Sequence, residues 1–162
     1  MKALSLLSIA AKRERAMFLR FCSRLRKASD AVYRQLGHRE REATYQRALA
    51  AELSAHYTCE LEYPVPVRYV TADGRVVTLA HERADIVVSD QEVSSSVWIV
   101  EVKRSTFNTT CTVLRDALDQ ARRYAGHVGR TTPVGGVCAV LFDKTGRTKP
   151  CVQGEPCEPA TI

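Results

Sequence analysis

The sequence predicts an α/β fold built on a mixed sheet, and three observations carry that prediction. An apolar strand over residues 97–103 is followed by helical periodicity over 113–127 and then by a second apolar strand over 134–142. A helix between two buried strands signals a parallel crossover. Upstream, two alternating segments flank Asp73-Gly74, a strong hairpin signal that adds antiparallel strands. Ahead of the hairpin, residues 39–56 have a helical apolar stripe at Ala48, Leu49 and Leu53, with no Gly or Pro to break it. The order is αβββαβ, preceded by one further amphipathic helix.

Each element has its own justification. Over residues 12–36, Phe18, Phe21, Cys22, Leu25, Ala28, Val32 and Leu36 recur at helical spacing, with Arg20, Arg24 and Lys27 off the stripe. In the first hairpin strand, over 60–70, Leu61, Tyr63, Val65, Val67 and Tyr69 alternate, and Pro64 and Pro66 mark an edge. Residues 75–79 and 83–88 read as returning strands, and the polar stretch 89–96 reads as a loop. Along the helix over 113–127, Leu114, Leu118, Ala121 and Ala125 face inward, and Gly126, Gly129 and Pro133 end it. Beyond Asp143, Gly146, Pro150, Gly154, Pro156 and Pro159 predict an irregular tail. The domain reading is therefore a basic arm (1–35), an α/β body (36–143) and a tail (144–162).

The chain has 162 residues, 45% of them hydrophobic and 26% charged, which suits one packed domain and excludes wholesale disorder. No stretch is long enough to span a bilayer. The net charge is +6, but it is unevenly placed. Residues 1–28 hold eight of the 24 Lys and Arg and one of the 18 acids, which leaves sixteen bases against seventeen acids in the remainder. A basic pI is thus no evidence of a nucleic-acid-coating body. The arm is open to several readings: a signal or transit peptide, a contact for nucleic acid, an anionic membrane surface or a protein partner, or a helix packed on the domain. Taken as an appendage, its removal should weaken nucleic-acid binding and its salt dependence and leave the core intact. The six cysteines are scattered, with no C-x-x-C pair, which favours a reducing intracellular compartment.

The chemistry concentrates on Ile99-Val100-Glu101-Val102-Lys103. Alternation puts Glu101 and Lys103 on the face of Ile99, and Trp98, Val100 and Val102 on the other. A carboxylate and an ammonium beside apolar neighbours are costly unless paired or bound to something. Asp85 holds a comparable place on the preceding strand, and two neighbouring carboxylates suit Mg²⁺ or Mn²⁺. Gln120 and Tyr124 are four apart on one helix face, and Glu42 and Tyr45 are three apart on another. Each has a plainer reading: a solvent-facing Glu101–Lys103 pair, Asp85 paired with Arg83, Glu42 on a helix surface, core or rim tyrosines, and a strand-end His81.

Taken together, these residues resemble the PD-(D/E)XK nuclease superfamily, and most closely its GxxExxY branch. Leu36-Gly37, Glu42, Tyr45 and Ala48-Leu49 resemble the opening helix of that branch. Arg83-Ala84-Asp85 resembles the second motif, Val100-Glu101-Val102-Lys103 the third, and Gln120-Ala121-Arg122-Arg123-Tyr124 a Gln-x-x-x-Tyr motif. The resemblance covers residues 36–142 and departs where Arg39 replaces the expected Gly and where the 89–96 loop is long. It implies a restriction-endonuclease-like fold and metal-dependent phosphodiester hydrolysis, on DNA ahead of RNA. Asp85, Glu101 and the Val102 carbonyl would hold Mg²⁺ or Mn²⁺, with Glu42 completing the set. Lys103 would position water or meet the transition-state charge, helped by Gln120 and Tyr124, while Arg104, Arg115, Arg122 and Arg123 would follow the phosphates. A homodimer is compatible with it, and so is the alternative of a catalytically silent nucleic-acid-binding or structural module.

Overall fold

The computed structural model describes residues 2–90 and 95–157; part of the 89–96 loop and the last five residues of the tail lie outside them. The elements run α1 (Lys2–Leu36), α2 (Glu42–Leu53), β1 (Thr58–Val70), β2 (Val76–Ser89), β3 (Val97–Ser105), a 3₁₀ turn (Phe107–Thr109), α3 (Thr110–Val128), β4 (Val134–Asp143) and β5 (Cys151–Pro156). The sheet order is β1-β2-β3-β4-β5. β3 and β4 are parallel through the α3 crossover, and the other neighbours are antiparallel. The mixed α/β sheet with helices on both faces is the predicted class. The two segments expected between 75 and 88 are one continuous strand, β2.

The alternation of β3 divides the core in two. Trp98, Val100 and Val102 pack with Cys138, Val140 and Phe142 beneath α1 and α2. Ile99 faces the other way, with Val137, Ala139 and Leu141, beneath Leu114, Leu118 and Ala121 of α3. Among the described residues, no helix is long and apolar enough to cross a membrane, and all six cysteines are free.

Two expectations at the chain ends need correcting. The arm is not an appendage, because Met17, Phe18, Phe21, Cys22, Leu25, Ala28 and Val32 of α1 are buried in the larger core cluster. Phe21 stacks on Trp98 at 4.6 Å and 15°, and meets Tyr57 edge-on at 5.4 Å. Of the readings left open for this segment, the packed helix with a solvated basic face describes α1 from Met17 onward. The tail is not irregular throughout either, since Cys151–Pro156 pairs with β4 as an edge strand.

What turns the chain back into β5 is Asp143. Its buried carboxylate accepts the backbone N–H groups of Thr145, Arg147 and Thr148 at 2.9–3.0 Å, and the hydroxyls of both threonines. Burial opposes the charge, but these donors outweigh it and hold the carboxyl down to about 2. A depressed carboxyl stabilises the fold fully above its unfolded value near 3.8 and loses that contribution as pH falls toward 2. Asp143→Ala strands several donors and is expected to cost about 2–3 kcal/mol at pH 7. The difference from the parent should shrink toward pH 2, as read by urea denaturation at several pH values.

Candidate active site

The site forms where β2 leaves β3. Their ladder runs only from Ser89↔Val97 to Ile86↔Val100. Beyond that point, carboxylates take over hydrogen bonds along the β2 side of β3. Asp85 Oδ2 accepts the N–H of Val102 at 2.7 Å, and Glu42 Oε2 accepts the N–H of Arg104 at 3.1 Å. Glu101 Oε1 accepts the N–H of Asp85 at 3.2 Å. Three acids distant in sequence are therefore fixed by backbone donors that strand pairing has left open.

A break in the pleat accompanies this departure. Ala84 packs toward α3, yet Ile86 packs toward α1 and α2, so simple alternation fails across Asp85. Opposite Asp85, between the pairs Leu61↔Ile86 and Tyr63↔Ala84, Glu62 has φ = 52°. It is the single non-glycine residue with positive φ among those described. Such irregularities re-aim strand side chains, at a cost that the surrounding structure must offset. No Gly or Asn marks the place, so the sequence gives no sign of it.

Lys103 stands at the centre. Its Nζ lies 3.5 Å from Glu101 Oε2, 3.8 Å from Asp85 Oδ2 and 3.8 Å from Glu42 Oε1. Burial works against the ammonium, but Asp85, Glu101 and Glu42 outweigh it and hold its pKa above the ordinary lysine value. Glu101 is fully buried, and that burial, reinforced by Asp85, pushes its carboxyl up to about 8 despite Lys103. Its Oε2 has no hydrogen-bond partner.

α2 is held in place by contacts that the sequence did not single out. Tyr45, fully buried, stacks on Phe142 at 4.2 Å, and its hydroxyl donates to the Gly37 carbonyl at 2.7 Å. The Arg104 guanidinium lies over the Tyr45 ring and donates to the His38 carbonyl at 2.9 Å. The expected nucleic-acid contact at Arg104 is therefore a residue engaged with the α1–α2 connection. Leu36-Gly37 was the visible trace of this arrangement.

The remaining sequence-derived positions lie on α3. Gln120 donates to the Tyr124 hydroxyl at 2.8 Å, and Tyr124 is buried in the cluster beneath α3. Arg122 pairs with Asp119 and with Glu155 of β5, and Arg123 pairs with Glu82 at 2.8 Å. Arg115 is exposed on the same helix, and His81 is exposed on β2. The structure thus gathers Glu42, Asp85, Glu101 and Lys103 into one cluster, with Gln120 and Tyr124 as a second pair.

The sequence model of the PD-(D/E)XK nuclease superfamily matches residues 20–123, nearly two thirds of the chain. The chain belongs to the PD-(D/E)XK nuclease superfamily. The match takes in all four clustered residues and Gln120, and begins inside α1, as the shared core requires. No curated protein matches the sequence at a significant level.

Members of this superfamily usually use divalent metals, and the residues present fit such an ion. Glu101 Oε2 is a buried oxygen whose neighbouring cation, the Lys103 ammonium at 3.5 Å, makes no well-formed hydrogen bond to it, and Asp85 stands beside it as a second hard ligand. Among the described residues, no three His, Cys, Asp or Glu side chains form a cage of their own. Mg²⁺ does not need one, since it commonly takes one or two carboxylates and keeps several waters.

Proposed function

We propose that this PD-(D/E)XK protein hydrolyses phosphodiester bonds in nucleic acid, DNA ahead of RNA, with Mg²⁺ or Mn²⁺. The observation that carries the reading is the convergence of Glu42, Asp85 and Glu101 on Lys103, each within 4 Å, in the opening between β2 and β3. Asp85, Glu101 and the Val102 carbonyl would hold the ion, with Glu42 completing the set. A bound divalent cation supplies a water of lowered pKa and offsets charge on the phosphate.

The chain's own residues do the rest. Lys103 stays protonated among its carboxylates, so it donates to a phosphate oxygen or orients the attacking water rather than taking a proton. Glu42 fixes Lys103 from the α2 side, and backbone donors keep Asp85 and Glu101 from turning away. Gln120 and Tyr124 act as a joined pair toward water or phosphate. Arg115 meets the phosphate backbone directly, whereas Arg104, Arg122 and Arg123 must first exchange their internal partners. Glu42 and Tyr45 with the Asp85, Glu101-x-Lys103 and Gln120-x-x-x-Tyr124 motifs support the GxxExxY branch as the proposed home of the chain within the superfamily.

The test is incubation with supercoiled DNA, linear DNA and RNA in Mg²⁺, Mn²⁺ or EDTA. Cleavage that needs the metal, stops in EDTA and is faster on DNA is expected. Binding without cleavage under every metal condition would replace this reading with that of a silent nucleic-acid-binding module.

A further inference from the structure

Two basic turns meet beside the catalytic cluster. The α1–α2 connection carries Arg39 and Arg41, and the β4–β5 turn carries Lys144, Arg147 and Lys149, all exposed. Among the described residues, none of these five forms an ion pair. Residues 38–41 and 144–149 together hold five bases and one acid, Glu40. The rest of residues 29–162 holds eleven bases against sixteen acids, so the positive charge of the body gathers here. On α3, by contrast, Arg122 is paired with Asp119 and Glu155, and Arg123 with Glu82. The cations of α1 stand elsewhere: Arg24 reaches Tyr57, past the C-terminal end of α2, whereas Glu42 opens that helix.

Contacts fix the two turns to each other and to the site. Gly146 lies against His38, since a Cβ on it would stand 2.7 Å from His38 Nδ1. The His38 carbonyl accepts from the Arg104 guanidinium, and the Arg104 N–H binds Glu42. Lys144 donates its N–H to the Ser105 carbonyl at 2.8 Å. Leu141, three residues before Lys144, is the ladder partner of Lys103. At about 3.3 Å per strand residue, Lys144 stands about 10 Å along the strand from Lys103, roughly three steps of a nucleic-acid strand. The Asp143 carboxylate ties down the N–H groups of Thr145, Arg147 and Thr148, so the turn presents its cations from a fixed loop.

We infer that these two turns hold the nucleic-acid backbone against the catalytic cluster, on the side of α2 and β4 rather than along α3. The inference rests on the proposed nuclease function and names the surface that function would use. Three carboxylates around Lys103 repel an incoming phosphate. Unpaired guanidinium and ammonium groups beside them oppose that repulsion and bind phosphate oxygens without regard to sequence.

Fluorescence anisotropy of a labelled short DNA duplex in EDTA reads binding without cleavage. Lys144→Ala, Arg147→Ala and Lys149→Ala should each lower the slope of log affinity against log salt by about 1, with unchanged melting midpoints. The three together should weaken binding about 10²-fold at ~0.1 M salt. Arg130→Ala removes the same charge ahead of β4, at the opposite end of that strand, and should leave the slope as it is. A parent that cleaves DNA while the turn variants keep its slope overturns the inference and leaves the proposed function standing. An equal loss in Arg130→Ala also overturns it, because net charge alone would then account for binding. Turn-dependent binding to anionic vesicles, with none to the duplex, would assign the turns to a membrane surface and overturn it too. Turn-dependent binding to DNA with no cleavage in any metal would support the inference and remove the nuclease reading instead.

Discussion

Lys103→Ala is expected to lower metal-dependent cleavage by about 10²–10³-fold, the scale for removing one preorganised donor from charge developing in a transition state. The loss should fall on kcat, because Lys103 lies between three carboxylates and its charge matters most when the phosphate is most negative. Asp85→Asn and Glu101→Gln should lower cleavage at least as far, while keeping the backbone hydrogen bonds that each oxygen accepts. Glu101→Gln is also expected to melt no lower than the parent, since burial and Asp85 already push this carboxyl up to about 8 and favour its neutral form, which Gln resembles. Initial rates on linear DNA at saturating Mg²⁺, with thermal midpoints alongside, check both halves. Variants that fold like the parent and cut at its rate would clear this cluster of any catalytic role.

How far the sequence carried depends on which rule governed each residue. Strand alternation was enough for Glu101 and Lys103, because β3 is regular and pairs in register with β4 throughout the site. Asp85 was found by its comparable place on the preceding strand, but its aim was not legible, since the pleat breaks opposite Glu62 at a position with no conformational marker. The Tyr45–Arg104–His38 contacts were hidden for another reason. They depend on a connection whose path only the folded chain defines.

The chain ends show a composition rule overridden by packing. Gly154 suggested looseness, yet a Cβ there would stand 2.8 Å from Cys22 Sγ and 3.0 Å from Cys138 Sγ. Its absence of side chain lets β5 close over α1. Gly136 does the same for Phe18, whose ring would lie 2.2 Å from an added Cβ. Counting charge along α1 likewise drew attention to its basic face, while the residues that fix its place are the uncharged ones between.

Deleting residues 1–35 is therefore expected to unfold the protein rather than trim it. The cut removes seven buried apolar side chains, from Met17 to Val32, and uncovers Trp98, Cys138 and Val140 of the central strands. At about 1.5–3 kcal/mol for each large apolar side chain buried, Met17, Phe18, Phe21, Leu25 and Val32 together contribute roughly 8–15 kcal/mol, as much as the 5–15 kcal/mol by which domains are stable. A single substitution tests the same point within a foldable chain. Phe21→Ala opens a cavity against Trp98 and Tyr57 and should cost about 3–5 kcal/mol. At ~2–4 °C per kcal/mol for a chain of this size, the midpoint should fall by roughly 10 °C in calorimetry. The basic face is then better probed by Arg26→Ala and Lys27→Ala, both exposed, which change salt-dependent binding without entering the core. A truncated chain that melts cooperatively near the parent's midpoint would show that the sheet closes without α1, and would restore the arm as a separate unit.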